Sequence, residues 1–198
     1  FTDNDVLNLY GYTYFPQKWS LEAYEFLIKQ GTVISKSFLN SILVTFMGTA
    51  LGIMVTVLLA YTISRKELVG RKLIMLFVFF TMLFNGGMVP TYLMYTQIFH
   101  IKNTMWALLF PHLLVNGFNV LLVRTFFNEN IPEVLLEAAR IDGAGEISIF
   151  RNVVLPISKP ILATIGLLVG VGYWNDWYNG LLFVTDVNYY TLQNFLNK

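Results

Sequence analysis

An all-α integral membrane protein, a polytopic helical bundle, is the fold class this sequence predicts, and three observations predict it. Of the 198 residues, 56% are hydrophobic and only 13% charged, where soluble domains carry about 25% charged residues. Mean hydropathy is +0.58. Four apolar runs, 38–63, 73–95, 104–123 and 161–184, are each long enough to cross roughly 30 Å of hydrocarbon as helix. A net charge of +1 excludes a broad basic surface and hence nucleic acid as a partner. The lack of cysteine excludes disulfides, thiolate nucleophiles and cysteine-ligated metals. The chain opens on Phe1 without an initiator methionine or signal-peptide pattern and stops on Lys198 after a turn-like stretch. It therefore reads as a fragment, with spans expected to be missing at both ends.

Residues 1–36 mix polar and aromatic side chains and are too polar to cross. Within them "WSLEAYEFLIKQG" predicts a short amphipathic helix, capped by Ser20, with Glu22 in its first turn and Gly31 as its stop. The runs of 37–198 follow. Lysine and arginine in the short loops set their orientation. "RKELVGRK" carries Arg65, Lys66, Arg71 and Lys72 and should be cytoplasmic, whereas "TQIFHIKN" has only Lys102 and should lie outside. The stretch 124–160, with Arg124, Arg140, Arg151 and Lys159, returns to the cytoplasm. Residues 1–36, outside by this count, hold Lys18, Lys29 and Lys36, so the rule is met in density.

Gly48 with Gly52, and Gly166 with Gly170, form two Gly-x-x-x-Gly pairs. Small residues at that spacing let helix backbones approach closely in lipid. Packing within one chain is favoured over dimerisation.

The cytoplasmic loop has the marks of two helices around a turn. Asn130 can cap, with Glu133 reaching back from three residues on and Pro132 tolerated in the first turn. Val134, Leu135, Ala138, Ala139 and Ile141 give an apolar side, and Gly143 predicts a left-handed stop. "EISIFRNVV" predicts a second helix with Ile147, Phe150 and Val154 roughly on one face, ended by Pro156 and Pro160. Such an elbow either lies on the lipid headgroups or docks in another protein, and periodicity does not separate the two.

Polar residues inside hydrocarbon are costly and face protein or a water-filled path. In the last run Gly172, Asn175, Asp176 and Asn179 follow helical spacing, flanked by Trp174 and Trp177. Asp176 would sit about 24 Å above Pro160, in the outer part of the bilayer. Amides, a carboxylate and aromatic faces together suit sugar binding, with an interfacial belt and helix contact as the equal alternative. His112, Asn116 and Asn119 make a similar row, and Thr81, Asn85, Met88 and Tyr92 a third, where "NGGMVP" should kink the helix. Two histidines on opposite sides of a loop give no metal site.

The pattern Glu137-Ala138-Ala139, Asp142-Gly143-Ala144, Phe150 and Leu155-Pro156 resembles the EAA loop of membrane subunits of binding-protein-dependent ABC importers. "PQKWSLEAY", "FLNSILVT", "NVLLVRTFF" and "YWNDW" are similar to the carbohydrate-uptake, maltose-permease-like branch, so that the resemblance spans nearly the whole chain. It implies a multi-pass subunit of a bacterial inner membrane, here four of six spans, without the first and last helices. It also implies that Glu137, Ala138, Ala139, Asp142, Gly143, Ala144, Phe150 and Pro156 couple to an ATPase cleft. The implied partners are a second permease subunit in a heterodimer, two ATPase subunits and an extracytoplasmic solute-binding protein. The chain has no Gly-x-x-x-x-Gly-Lys-Ser/Thr phosphate loop, so it is expected to bind no cofactor and to leave hydrolysis to the separate subunits. An ion-coupled secondary transporter using Asp176 is the alternative. An intramembrane enzyme lacks a nucleophile or metal motif.

Overall fold

The computed structural model describes residues 31–111 and 113–197, with Gly11, Leu21 and Glu25. The expected N-terminal amphipathic helix, with Ser20 and Glu22, and His112 lie outside the described residues. Every regular element among the described residues is helical.

Helix α1, Gly31–Ser64, is one unbroken rod of 34 residues. Gly31, expected to close a preceding helix, is itself helical and belongs to α1. Among the described residues α1 alone is long and apolar enough to cross a membrane as a single helix. The other runs are broken, each for a local reason. Helix α2, Arg71–Leu83, meets α3, Met88–Leu93 with its π-helical extension Met94–Ile98, at 115°. Gly87 makes the corner at φ 85°, and the Asn85 side chain accepts its N–H at 2.9 Å, so the kink expected at "NGGMVP" is present.

The third run is not a single span. A short helix α4, Trp106–Leu109, stops before Pro111, and α5, Gly117–Asn130, restarts on the Asn116 side chain, which accepts from the N–H groups of Phe118 and Asn119. An asparagine that takes the backbone donors of a new helix competes with continuing the old one. The last run breaks in the same way. Helix α9, Lys159–Trp174, ends at Asn175, and α10, Tyr178–Phe183, follows after the Asp176 carboxylate accepts the Asn179 N–H at 3.1 Å. Between α5 and α9 lies the elbow: α6, Glu133–Ile141, then α7, Glu146–Ile149, continued by a π turn and α8, Leu155–Ile157. The arm ending at Ile157 meets α9 at 80°. Helix α11, Leu192–Leu196, returns to the N-terminal part of α1, where Ser41 Oγ accepts the Leu192 N–H at 2.8 Å.

The core runs along α1, with α9 and α5 packed on it. The two Gly-x-x-x-Gly pairs face one another inside this chain. A Cβ on Gly48 would stand 2.5 Å from the Tyr173 ring, and one on Gly52 3.1 Å from Val169. From the other side, a Cβ on Gly166 would lie 3.2 Å from Ile53 and one on Gly170 3.3 Å from Thr49. The close approach lets Tyr173 donate to the Leu109 carbonyl at 2.7 Å, and Asn179 donates to the Pro111 carbonyl at 2.9 Å. Both bonds are buried and satisfy backbone groups freed by the broken third run.

Candidate functional site

The elbow begins with α6, and its sequence divides into two faces. Leu136 is buried, as is Ile131 just ahead of the helix, and these two seat it against the bundle. Val134, Ala138 and Ile141, spaced i, i+4, i+7, point away, with Ile141 85% exposed. The apolar side expected of α6 is therefore split. Ala139 turns half inward, Leu135 stays outside, and Leu136, which the sequence reading missed, is the anchor. The expected capping box is absent. Asn130 ends α5 and donates to the Phe126 carbonyl, while the Glu133 carboxylate takes Lys66 Nζ at 2.6 Å. A full ammonium from the neighbouring loop offers Glu133 a stronger partner than a backbone N–H.

The turn closes α6 as a Schellman motif. The Gly143 N–H donates to the Arg140 carbonyl and the Ala144 N–H to the Ala139 carbonyl, both at 3.0 Å, with Gly143 at φ 80°. Glu137, Ala138, Asp142 and Gly143 are all exposed on or beside the tip. On the second arm Ile147 is 84% exposed, whereas Ile149 and Val154 are buried. Ile147 thus does not share the face of Phe150 and Val154, which turn inward. Pro156 does not end this arm. It lies in the first turn of α8, where no N–H is needed, and the direction changes two residues later at Ser158, whose hydroxyl donates to the Val154 carbonyl at 2.6 Å. The result is a knuckle whose tip is apolar, from Val134, Ala138, Ile141 and Ile147, with two exposed acids beside it. Apolar tips ringed by charge are the chemistry of a protein groove contact.

A clamp that the sequence reading did not foresee ties this knuckle to the membrane helices. Arg140 donates from Nη1 to Glu67 at 2.9 Å and from Nε to Glu146 at 3.0 Å. The other Glu146 oxygen accepts from the Tyr61 hydroxyl at 2.8 Å. The Tyr61 ring packs on Phe150 with centroids 4.9 Å apart and carries the Arg65 guanidinium 4.7 Å above it. One arginine therefore joins both arms of the elbow to the loop after α1. Glu146 is held below the usual carboxylate range by the Tyr61 hydroxyl and then by Arg140. Glu67 is lowered by its own backbone N–H and then by Arg140, and Arg140 is raised in turn by the two acids. The legible signal was opposite charge on either side of the glycine turn, in a loop expected on the same side as "RKELVGRK".

The expected polar rows fare unevenly, because the runs that were to carry them are broken. Asn85 and Asn116 come together on one open cleft of about 640 Å³, with Thr81 and Tyr95. The α2–α3 corner and the start of α5 form the walls of this cleft. Asn119 faces the interior of the bundle and is buried. Asn175 and Trp177 are exposed, Asp176 caps α10, and Trp174 packs edge-on against Phe38 at 6.0 Å. Asn179 is buried within the bundle and donates to the Pro111 carbonyl.

Residues 48–196, a stretch containing the elbow, match the family described as binding-protein-dependent transport system inner membrane component. The chain belongs to this family. It is 40% identical over 92% of its length to the polygalacturonan/rhamnogalacturonan transport system permease protein YtcP of Bacillus subtilis (strain 168), covering 63% of that protein. To protein LplC of the same organism it is 38% identical over 93% of its length, covering 61% of that protein. A crystal structure of a bacterial ABC transporter involved in the import of the acidic polysaccharide alginate matches with a TM-score of 0.83 and 30% identity, over 92% of this chain and 64% of that one. The chain thus spans about three fifths of the curated relatives it matches. As an inner-membrane component it is an all-helical membrane protein.

Proposed function

We propose that this chain is the main part of a membrane subunit of an ATP-driven sugar or oligosaccharide importer, and that its elbow transmits the motion of separate ATPase subunits. The supporting observation is the knuckle. An exposed apolar tip stands on a Schellman turn and is fastened by Arg140 to the cytoplasmic end of α1. Glu137 and Asp142 sit where a basic partner side chain would meet them, and Phe150 rests on Tyr61, so force on the tip reaches the helix directly. The wider assembly comprises a second, non-identical permease subunit, two ATPase subunits and an extracytoplasmic solute-binding protein. The cleft holding Asn85 and Asn116 belongs to the translocation path in this reading. Amides there exchange hydrogen bonds with sugar hydroxyls as the bundle passes between inward-open and outward-open forms.

The 198 residues contain no cysteine, and any cysteine elsewhere in the transporter is first replaced by serine. Single cysteines at Ile141 and Ile147 in the full transporter should crosslink to the ATPase subunit, and the extent should change when ATP is bound. Crosslinks that reach only lipid or other membrane subunits in actively transporting vesicles would overturn the reading.

A further inference from the structure

On the cytoplasmic side, away from the knuckle tip, a cavity of about 440 Å³ opens between the end of α1, the start of α2 and the end of α5. Its floor is apolar, made by the buried side chains of Phe127, Ile131 and Leu136. Arg65, Arg71 and Arg124 line its wall, each half-buried. Lys66 and the acids Glu67, Glu129 and Glu133 line the cavity as well, yet among the described residues none of the three arginines has a carboxylate within ion-pair distance. Glu133 holds Lys66, Glu67 holds Arg140, and Glu129 at the exposed rim pairs with none of them. Arg124 spends only its Nε, on the Ile63 carbonyl at 3.4 Å, and Arg65 only its link to Ser64 and the Tyr61 ring. Arg65 feels the charge of Glu67 and Glu146, but half-burying the guanidinium groups of Arg71 and Arg124 without an ion-pair partner is costly. Arginine forks match the oxygens of a phosphate.

We propose that this cavity binds the phosphate headgroup of an anionic phospholipid of the cytoplasmic leaflet. Two features favour a lipid over a free phosphate. Beside Arg71 the loop tip presents Leu68 and Val69, the latter 96% exposed, which suits insertion at the headgroup level. Directly beyond Arg71, Leu73, Leu76, Phe77 and Phe80 form an exposed apolar face of α2 along which acyl chains can lie. Basic pockets between spans on the cytoplasmic side bind anionic headgroups in this way.

The experiment needs no transport activity, so its failure is separate from failure of the importer reading. Purified full transporter is delipidated in detergent and given dioleoylphosphatidylglycerol, dioleoylphosphatidylcholine or inorganic phosphate, and retained molecules are counted by native mass spectrometry. Phosphatidylglycerol should be retained and phosphatidylcholine lost. Retention should fall about tenfold or more in the Arg71→Gln/Arg124→Gln double variant and persist in Arg71→Lys/Arg124→Lys. Equal retention of the two lipids overturns the proposal, as does undiminished phosphatidylglycerol on the double glutamine variant. Displacement of the lipid by millimolar inorganic phosphate overturns the lipid assignment. If the glutamine variant fails to assemble, the comparison of headgroups on the unaltered protein decides.

Discussion

Gly143 sits at φ 80° with open space where a Cβ would be, so a substitution there tests backbone strain with no steric term. Gly143→Ala should weaken the elbow by about 1–2 kcal/mol, the cost of left-handed backbone for an L-residue, and Gly143→Asn by less. Gly143→Pro removes the N–H bonded to the Arg140 carbonyl and forbids the turn's φ. Membrane insertion should survive it while solute-stimulated ATP hydrolysis no longer drives uptake; unchanged coupling ratios in reconstituted vesicles would show that the turn is not the lever's joint. The clamp makes a second residue-scale prediction. Exposed ion pairs contribute roughly 0.2–1 kcal/mol each, so Arg140→Gln should cost about 1 kcal/mol in all. Because Glu67 and Glu146 are lowered in the folded protein, their stabilisation is fully present above the ordinary carboxylate value of about 4.3 and is lost as pH falls through the lower folded values. The melting-temperature gap between the natural chain and Arg140→Gln should therefore hold steady from about pH 8 to 5 and close only under stronger acid. A gap that closes near neutrality would mean that some other group carries the effect.

Among the elements, the α1–α9 contact depends unequally on its glycines. A Cβ on Gly48 collides with the Tyr173 ring at 2.5 Å, and Tyr173 cannot yield without giving up the Leu109 carbonyl. A Cβ on Gly166 meets only the Cδ1 of Ile53 at 3.2 Å, the free end of a side chain. Gly48→Ala should thus destabilise by about 1–3 kcal/mol, the usual cost of overpacking, and Gly166→Ala by much less, as read from thermal unfolding in detergent. This packing was legible in the sequence because small-residue spacing is local information. So was the left-handed turn at Gly143, since glycine after an amphipathic run has few other uses. What could not be read was where the third and last apolar runs break. Asn116 and Asp176 look like members of polar stripes when a continuous helix is assumed, yet each spends its side chain starting a new helix. A side chain that caps and one that faces a channel occupy the same position in a periodic pattern. The clamp was hidden for another reason: Tyr61, Glu67, Arg140 and Glu146 meet only through tertiary contact.

For the molecule as a whole, the packing divides the chain into a rigid part and a lighter one. Helices α1, α5 and α9 bury against one another, and the clamp fastens the elbow to α1. By contrast Val78 is the one buried residue of α2, and none is buried in α3. A push on the knuckle should therefore carry α1, α5, α9 and the elbow as one body, while the bent α2–α3 pair moves relative to it. Since the Asn85–Asn116 cleft lies between the two parts, that motion opens or closes the cleft without bending any helix of the core. Spin-label pairs would separate the cases. Labels at Met54 on α1 and Leu167 on α9, both exposed, should keep one narrow distance distribution with and without ATP. A pair joining Met54 to Leu83 on α2, also exposed, should shift by more than that distribution's width. If the α1–α9 distance moves as much as the α1–α2 distance, the glycine-packed core is itself the moving joint and the lever ends at the membrane surface.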